Sequence, residues 1–131
     1  MSTSLVRLKQ VLFIKVILTV FVWGMPSLLA PPSMLQLFGI PTADLTFLRL
    51  FGAVLLAMSV AYWFAYKDPI RNLAVIWMLI ADNGLAVLVI VVLGLTVGIS
   101  WYFWLSAVIA FLFFLAFLIL IPRKETYLTP A

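Results

Sequence analysis

The stretch LAVIWMLIADNGLAVLVIVVLGL, residues 73–95, decides how the whole chain is read. It is apolar almost throughout, and as one helix rising about 1.5 Å per residue it is long enough to cross a hydrocarbon core of about 30 Å. Three further runs share that property, from Val11 to Leu29, from Leu45 to Tyr66 and from Ile99 to Ile121. Hydrophobic residues make up 67% of the chain and charged residues only 9%, whereas soluble domains carry about 25% charged residues. The expected fold is an all-α integral membrane bundle of four transmembrane helices, a single domain over residues 1–131. A short interfacial segment is expected between spans one and two.

Absent residues restrict the chemistry. The chain has no His and no Cys, so it offers no imidazole or thiolate for haem or zinc, no redox disulfide and no thiol nucleophile. No cofactor and no metal site are expected, and no catalytic constellation is visible. The net charge of +4 does not point to nucleic acid, because the basic residues form no patch and match no binding motif.

Those basic residues instead fit a topology signal, since Lys and Arg favour short cytoplasmic loops. Arg7, Lys9 and Lys15 precede or enter span one, Lys67 and Arg71 flank the turn after span two, and Arg123 and Lys124 follow span four. No Lys or Arg lies between Lys15 and Arg49, or in the Thr96–Ser100 turn. Both termini are therefore expected on the cytoplasmic side of a bacterial inner membrane. Lys15, read as one turn inside span one, is expected to snorkel to the headgroups. Cleavage after Ala30 as a signal peptide is disfavoured, because Leu28 stands where a small residue is wanted and Pro31 would follow the cut.

The long connection GMPSLLAPPSMLQLFGIPTAD, residues 24–44, holds four of the seven prolines. Pro26, Pro31 and Pro32 should end the first helix. Met34, Leu35, Leu37 and Phe38 then suggest a short helix along the membrane surface, or a plug in the mouth of the bundle. Thr42 or Asp44 can cap span two. On that span Arg49, Ala53, Ala57, Ala61 and Ala65 recur every four residues, and with Gly52 they are the expected helix-packing face. Two aromatic clusters, Tyr62, Trp63, Phe64 and Tyr66 at one end and Trp101, Tyr102 and Trp104 at the other, fit interfacial belts.

Asp82 and Asn83 are the polar exception within span three. Counted from Arg71, Asp82 lies about 16 Å along the helix, near mid-membrane, where a charged Asp costs about 2.5–3.5 kcal/mol unless paired or wetted. Arg49 is the partner considered for it, reaching down from span two. One reading makes the polar residues interhelical glue. The sharper reading makes Arg49, Asp82 and Asn83 the lining of a polar pocket for a lipophilic ligand.

The segment GIPTADLTFLRLFGAVLLAMSVAYWFAYKDPIR, residues 39–71, resembles the DoxX-like group of small four-helix bacterial membrane proteins. The likeness lies in the Pro-rich connection with a Gly before span two, Arg49 and Gly52 near that span's start, and the short basic turn after it. It implies a four-helix fold and a link to quinones or to redox partners, and it identifies no catalytic residue. The first functional expectation is a non-catalytic accessory or scaffold subunit in the lipid bilayer, with other membrane subunits or copies of itself as partners. The alternatives are a quinone- or lipid-binding protein and a small oligomeric transporter. Against the transporter, span one offers only Lys15 where small multidrug transporters carry an essential acid, and no internal repeat is visible.

Overall fold

The structure, a computed structural model, describes residues 1–123. Lys124 and the short tail expected after span four lie outside the described residues. Four helices are long and apolar enough to cross a membrane: Thr3–Leu29, Thr46–Lys67, Leu73–Thr96 and Trp101–Leu120, here spans one to four. No strand is present among the described residues. The chain is a multi-pass, all-α membrane bundle, as the composition requires.

Span one starts earlier than its hydropathy suggests. Ser2 stands at the N-cap, and its hydroxyl accepts the Leu5 amide at 3.4 Å. The helix then runs as α from Thr3 to Leu18, widens into a π-helical turn over Thr19–Gly24, and closes as α from Met25 to Leu29. Lys15 is thus twelve residues inside the helix, about 18 Å from its start at 1.5 Å per residue. It does not snorkel to a headgroup region and is instead 6% exposed.

Each span packs beside the next in sequence, span four returns to span one, and spans two and three meet least. Spans one and three are therefore diagonal. At the end bearing the N-terminus and the 68–72 turn, Leu8, Leu12, Tyr62, Ile76, Leu79 and Phe117 form a dense core. At the opposite end Ala30, Leu35 and Ile40 form a second cluster, against which Phe38, Leu48, Tyr102 and Phe103 pack. Between the two clusters the bundle is hollow.

The second cluster is built by the Pro-rich connection. Pro31, extended at ψ 154°, lets the chain restart as a short helix, Pro32–Leu37, and Gly39 turns it at φ +69°, a conformation costly for residues with a Cβ. Leu35 is buried while Met34 and Leu37 face outward, and Phe38 packs on Trp101 and Tyr102 with ring centroids 5.7 and 5.6 Å apart. The segment thus combines the two expected arrangements, an apolar outer face and a plug-like inner one. Asp44 then accepts the Thr46 amide at 2.8 Å, at the start of span two. That bond holds its carboxyl below the usual range.

The buried positions of span two are Gly52, Leu55, Ser59, Tyr62 and Ala65, each three or four residues after the last. A strict four-residue ridge drifts by about 40° per step on a helix turning about 100° per residue. Of the expected face, Gly52 and Ala65 are accordingly buried, Ala61 is half-buried, and Ala53 and Ala57 point out of the bundle. Gly52 marks the closest approach to span one. A Cβ there would lie 2.6 Å from the Leu28 nitrogen and 2.8 Å from the Gly24 carbonyl oxygen.

Candidate functional site

The polar pair of span three meets span one, not Arg49. Lys15 Nζ donates to Asn83 Oδ1 at 2.9 Å and lies 3.9 Å from Asp82 Oδ2. Asn83 also donates through Nδ2 to the Leu79 carbonyl at 2.6 Å, which fixes its amide so that Oδ1 faces the ammonium. Tyr62, expected in the aromatic belt, is fully buried, and its hydroxyl makes a long 3.5 Å hydrogen bond to Asp82 Oδ2. The rings of Phe113, Trp23 and Tyr62 surround the ammonium, with centroids 5.1, 5.5 and 6.0 Å from Nζ. An ion in so dry a place persists only with partners around it. Here they are an amide oxygen, a carboxylate and three aromatic faces.

Arg49 has a different task. Its Nη1 donates to the Ser27 carbonyl at 2.9 Å and its Nη2 to the Ala30 carbonyl at 2.6 Å. These are among the last carbonyls of span one, which have no intrahelical donor once Pro31 and Pro32 break the helix. The rigid guanidinium fork satisfies two of them together and pins the end of span one to the start of span two, beside Gly52. Of the three residues considered for a pocket, Asp82 and Asn83 are brought together and Arg49 is held apart from them.

Asp82 and Asn83 do line a cavity. It has a volume of about 360 Å³ and fills the hollow between the two clusters, near the small end of the range that holds small molecules, about 300–1,000 Å³. Lys15, Asp82 and Asn83 form its floor near the middle of spans one and three, and Tyr102 and Ile99 lie at its other end. The walls are almost wholly apolar. Three lining residues are also exposed on the outside of the bundle, Phe51 (51%), Val89 (52%) and Leu93 (44%). All three lie on spans two and three, so the cavity opens sideways between the helices that meet least.

Span one supplies the remaining polar groups. Trp23 Nε1 donates to Ser106 Oγ at 2.9 Å, tying spans one and four across the wall. The Tyr102 hydroxyl donates to the Val22 carbonyl at 3.1 Å, inside the π-turn, where such irregular turns leave backbone groups to be met by side chains. Thr19, 1% exposed and lining the cavity, has a buried hydroxyl with no hydrogen-bond partner. The ammonium has three N–H donors, one of them used by Asn83. The floor can therefore donate to a ligand oxygen, and Asp82 can accept from one.

Sequence reasoning found Asp82 and Asn83 and missed Lys15, Thr19 and Tyr62 as their neighbours. A signal for Lys15 was present in Ser2, whose capping role lengthens the first helix and moves Lys15 to its middle. Nothing local to residues 15 or 62 announces contact with residues 82 and 83. No protein-family model, no curated protein and no solved structure matches this chain.

Proposed function

We propose that this multi-pass membrane protein holds a lipophilic molecule with a small polar end, taken sideways from the bilayer and seated with that end on Lys15, Asp82 and Asn83. One observation carries the reading: an apolar cavity whose polar floor lies midway along spans one and three and whose rim is exposed on the outside of the bundle. A floor at that depth disfavours a zwitterionic headgroup, because charge is costly there. It suits a carbonyl or hydroxyl on a hydrocarbon frame. A quinone or a simple neutral lipid meets that description, in keeping with the DoxX-like resemblance. The basic residues at the floor-side end of the bundle favour that end as cytoplasmic, and a bacterial inner membrane as the setting.

Native mass spectrometry of protein gently extracted from its own membrane tests this reading, with Ala86→Trp as the cavity-filling control. A retained small molecule in the unaltered chain that is lost from the variant supports the pocket. An empty unaltered chain rejects it.

An accessory-subunit role is the second reading, favoured by the outward Ala53 and Ala57, where small side chains allow another helix to approach closely. The same spectra decide it. A fixed protein stoichiometry, weakened by Ala57→Leu, supports the subunit role, and a lone chain rejects it.

A further inference from the structure

We propose that Lys15 is a carbonyl-reactive amine, which condenses with the aldehyde end of a membrane-dissolved hydrocarbon chain to form an imine. The proposal rests on the cavity reading and names a ligand class for it.

Three lysines lie among the described residues, and their settings differ. Lys9 Nζ donates to the Lys67 carbonyl at 3.1 Å, and Lys67 is exposed at the end of span two, its ammonium 5.0 Å from the Trp63 ring. Only Lys15 presents its nitrogen to an apolar cavity, with a carboxylate 3.9 Å away. A lysine enclosed by apolar groups beside a proton acceptor is the setting in which this side chain attacks carbonyls. Enclosure also keeps bulk water, which would hydrolyse an imine, away from the bond.

The reaction balances with the groups present and the aldehyde alone. Asp82 takes a proton from the Lys15 ammonium, and the freed lone pair forms a C–N bond to the carbonyl carbon. A proton moves from nitrogen to the former carbonyl oxygen, giving a carbinolamine. Asp82 then returns its proton to that hydroxyl, the C–O bond breaks, and one water leaves. The product is a protonated imine beside an ionised Asp82, and nothing is oxidised or reduced.

Two features favour this chemistry over acylation of the same amine. The protonated imine keeps the positive charge, so Asp82 retains its counter-ion, whereas an amide would leave a carboxylate unpaired in a poorly solvated site, a costly outcome. The imine nitrogen also retains a single N–H, and Asn83 Oδ1 already stands 2.9 Å from that nitrogen to accept it.

The test uses the full chain in lipid nanodiscs, exposed to dodecanal, reduced with sodium borohydride and mapped by peptide mass spectrometry. The dodecyl adduct is expected predominantly on Lys15, with Lys9 and Lys67 as internal controls for unspecific reaction. Asp82→Asn, which keeps the shape but removes the proton acceptor, is expected to slow labelling of Lys15 by about 10²-fold. Lys15→Arg keeps the charge and should abolish the adduct in a folded bundle. Labelling of Lys15 no greater than that of Lys9 and Lys67, or a rate unchanged by Asp82→Asn, overturns the proposal. Retention of dodecanol, read by native mass spectrometry, separates the two levels of the argument. If the alcohol is held and the aldehyde does not label Lys15, the imine falls and the cavity reading stands; if neither is held or attached, both fall.

Discussion

The ammonium of Lys15 and the amide of Asn83, 68 positions apart in the chain, share a buried 2.9 Å hydrogen bond across the diagonal of the bundle. Spans one and three have few other means of contact, since each packs mainly on spans two and four. The bond therefore sets the register between two helices that are not neighbours, and it places the floor of the cavity.

Unequal costs are expected when its partners are removed singly. Asn83→Leu removes the close acceptor of the ammonium but leaves Asp82 at ion-pair distance, and should destabilise the bundle by about 1.5–3 kcal/mol, the worth of a hydrogen bond to a charged group. Lys15→Met leaves the Asp82 carboxylate without its counter-ion as well as the Asn83 oxygen unsatisfied, at about 3–5 kcal/mol. The order of the two variants in reversible unfolding from detergent checks the assignment, and equal costs would contradict it.

Arg49 is expected to matter for stability and not for ligand retention. Arg49→Lys keeps a charge but cannot bridge the Ser27 and Ala30 carbonyls with a fixed fork, so about 1.5–3 kcal/mol should be lost, the worth of one charge-assisted hydrogen bond. Thermal unfolding measures the loss, while native mass spectrometry of the same variant should find any bound molecule retained.

Gly52 and Ala57 should respond oppositely to added bulk. Gly52→Ala drives a Cβ against the backbone of Leu28 and Gly24, where no flexible side chain can move aside, at a cost of about 1–3 kcal/mol. Ala57→Leu points away from the bundle and should leave the stability of an isolated chain within about 0.5 kcal/mol of the parent. Denaturation of both variants in the same detergent is the comparison.

The side opening predicts a kinetic effect. Val89→Trp places a large ring on the rim without touching the floor, and should slow uptake of a fluorescent fatty alcohol from vesicles while leaving the unfolding midpoint near that of the parent. Uptake unchanged by this variant, and slowed instead by changes at Tyr102, would move the entrance to the end of the bundle.

The spans, the cap at Asp44, the short helix after the proline pair and the tight position of Gly52 were all legible in the sequence, because each depends on a few adjacent residues. The placing of Lys15 was not. Hydropathy marks where a helix becomes apolar, whereas Ser2 marks where it begins, and the two differ by enough residues to move an amine from an interface to the middle of a bundle. The alanine ridge failed for a related reason, since its constant spacing of four drifts around a helix whose buried positions recur every three or four residues. The contacts of Asp82 required knowing which spans stand diagonally, and that is decided by packing of the whole chain.

The π-turn over Thr19–Gly24 has the effect of a phase shift. In an uninterrupted α-helix, nine residues at about 100° each would put Lys15 and Gly24 on nearly opposite sides. The widened turn lags behind that rotation, so one helix can aim its amine at Asn83 and its glycine at span two. Removing one residue from this turn would restore a regular helix and yet rotate one of these two contacts out of the protein, so the irregularity is what lets the lock and the cavity coexist on span one.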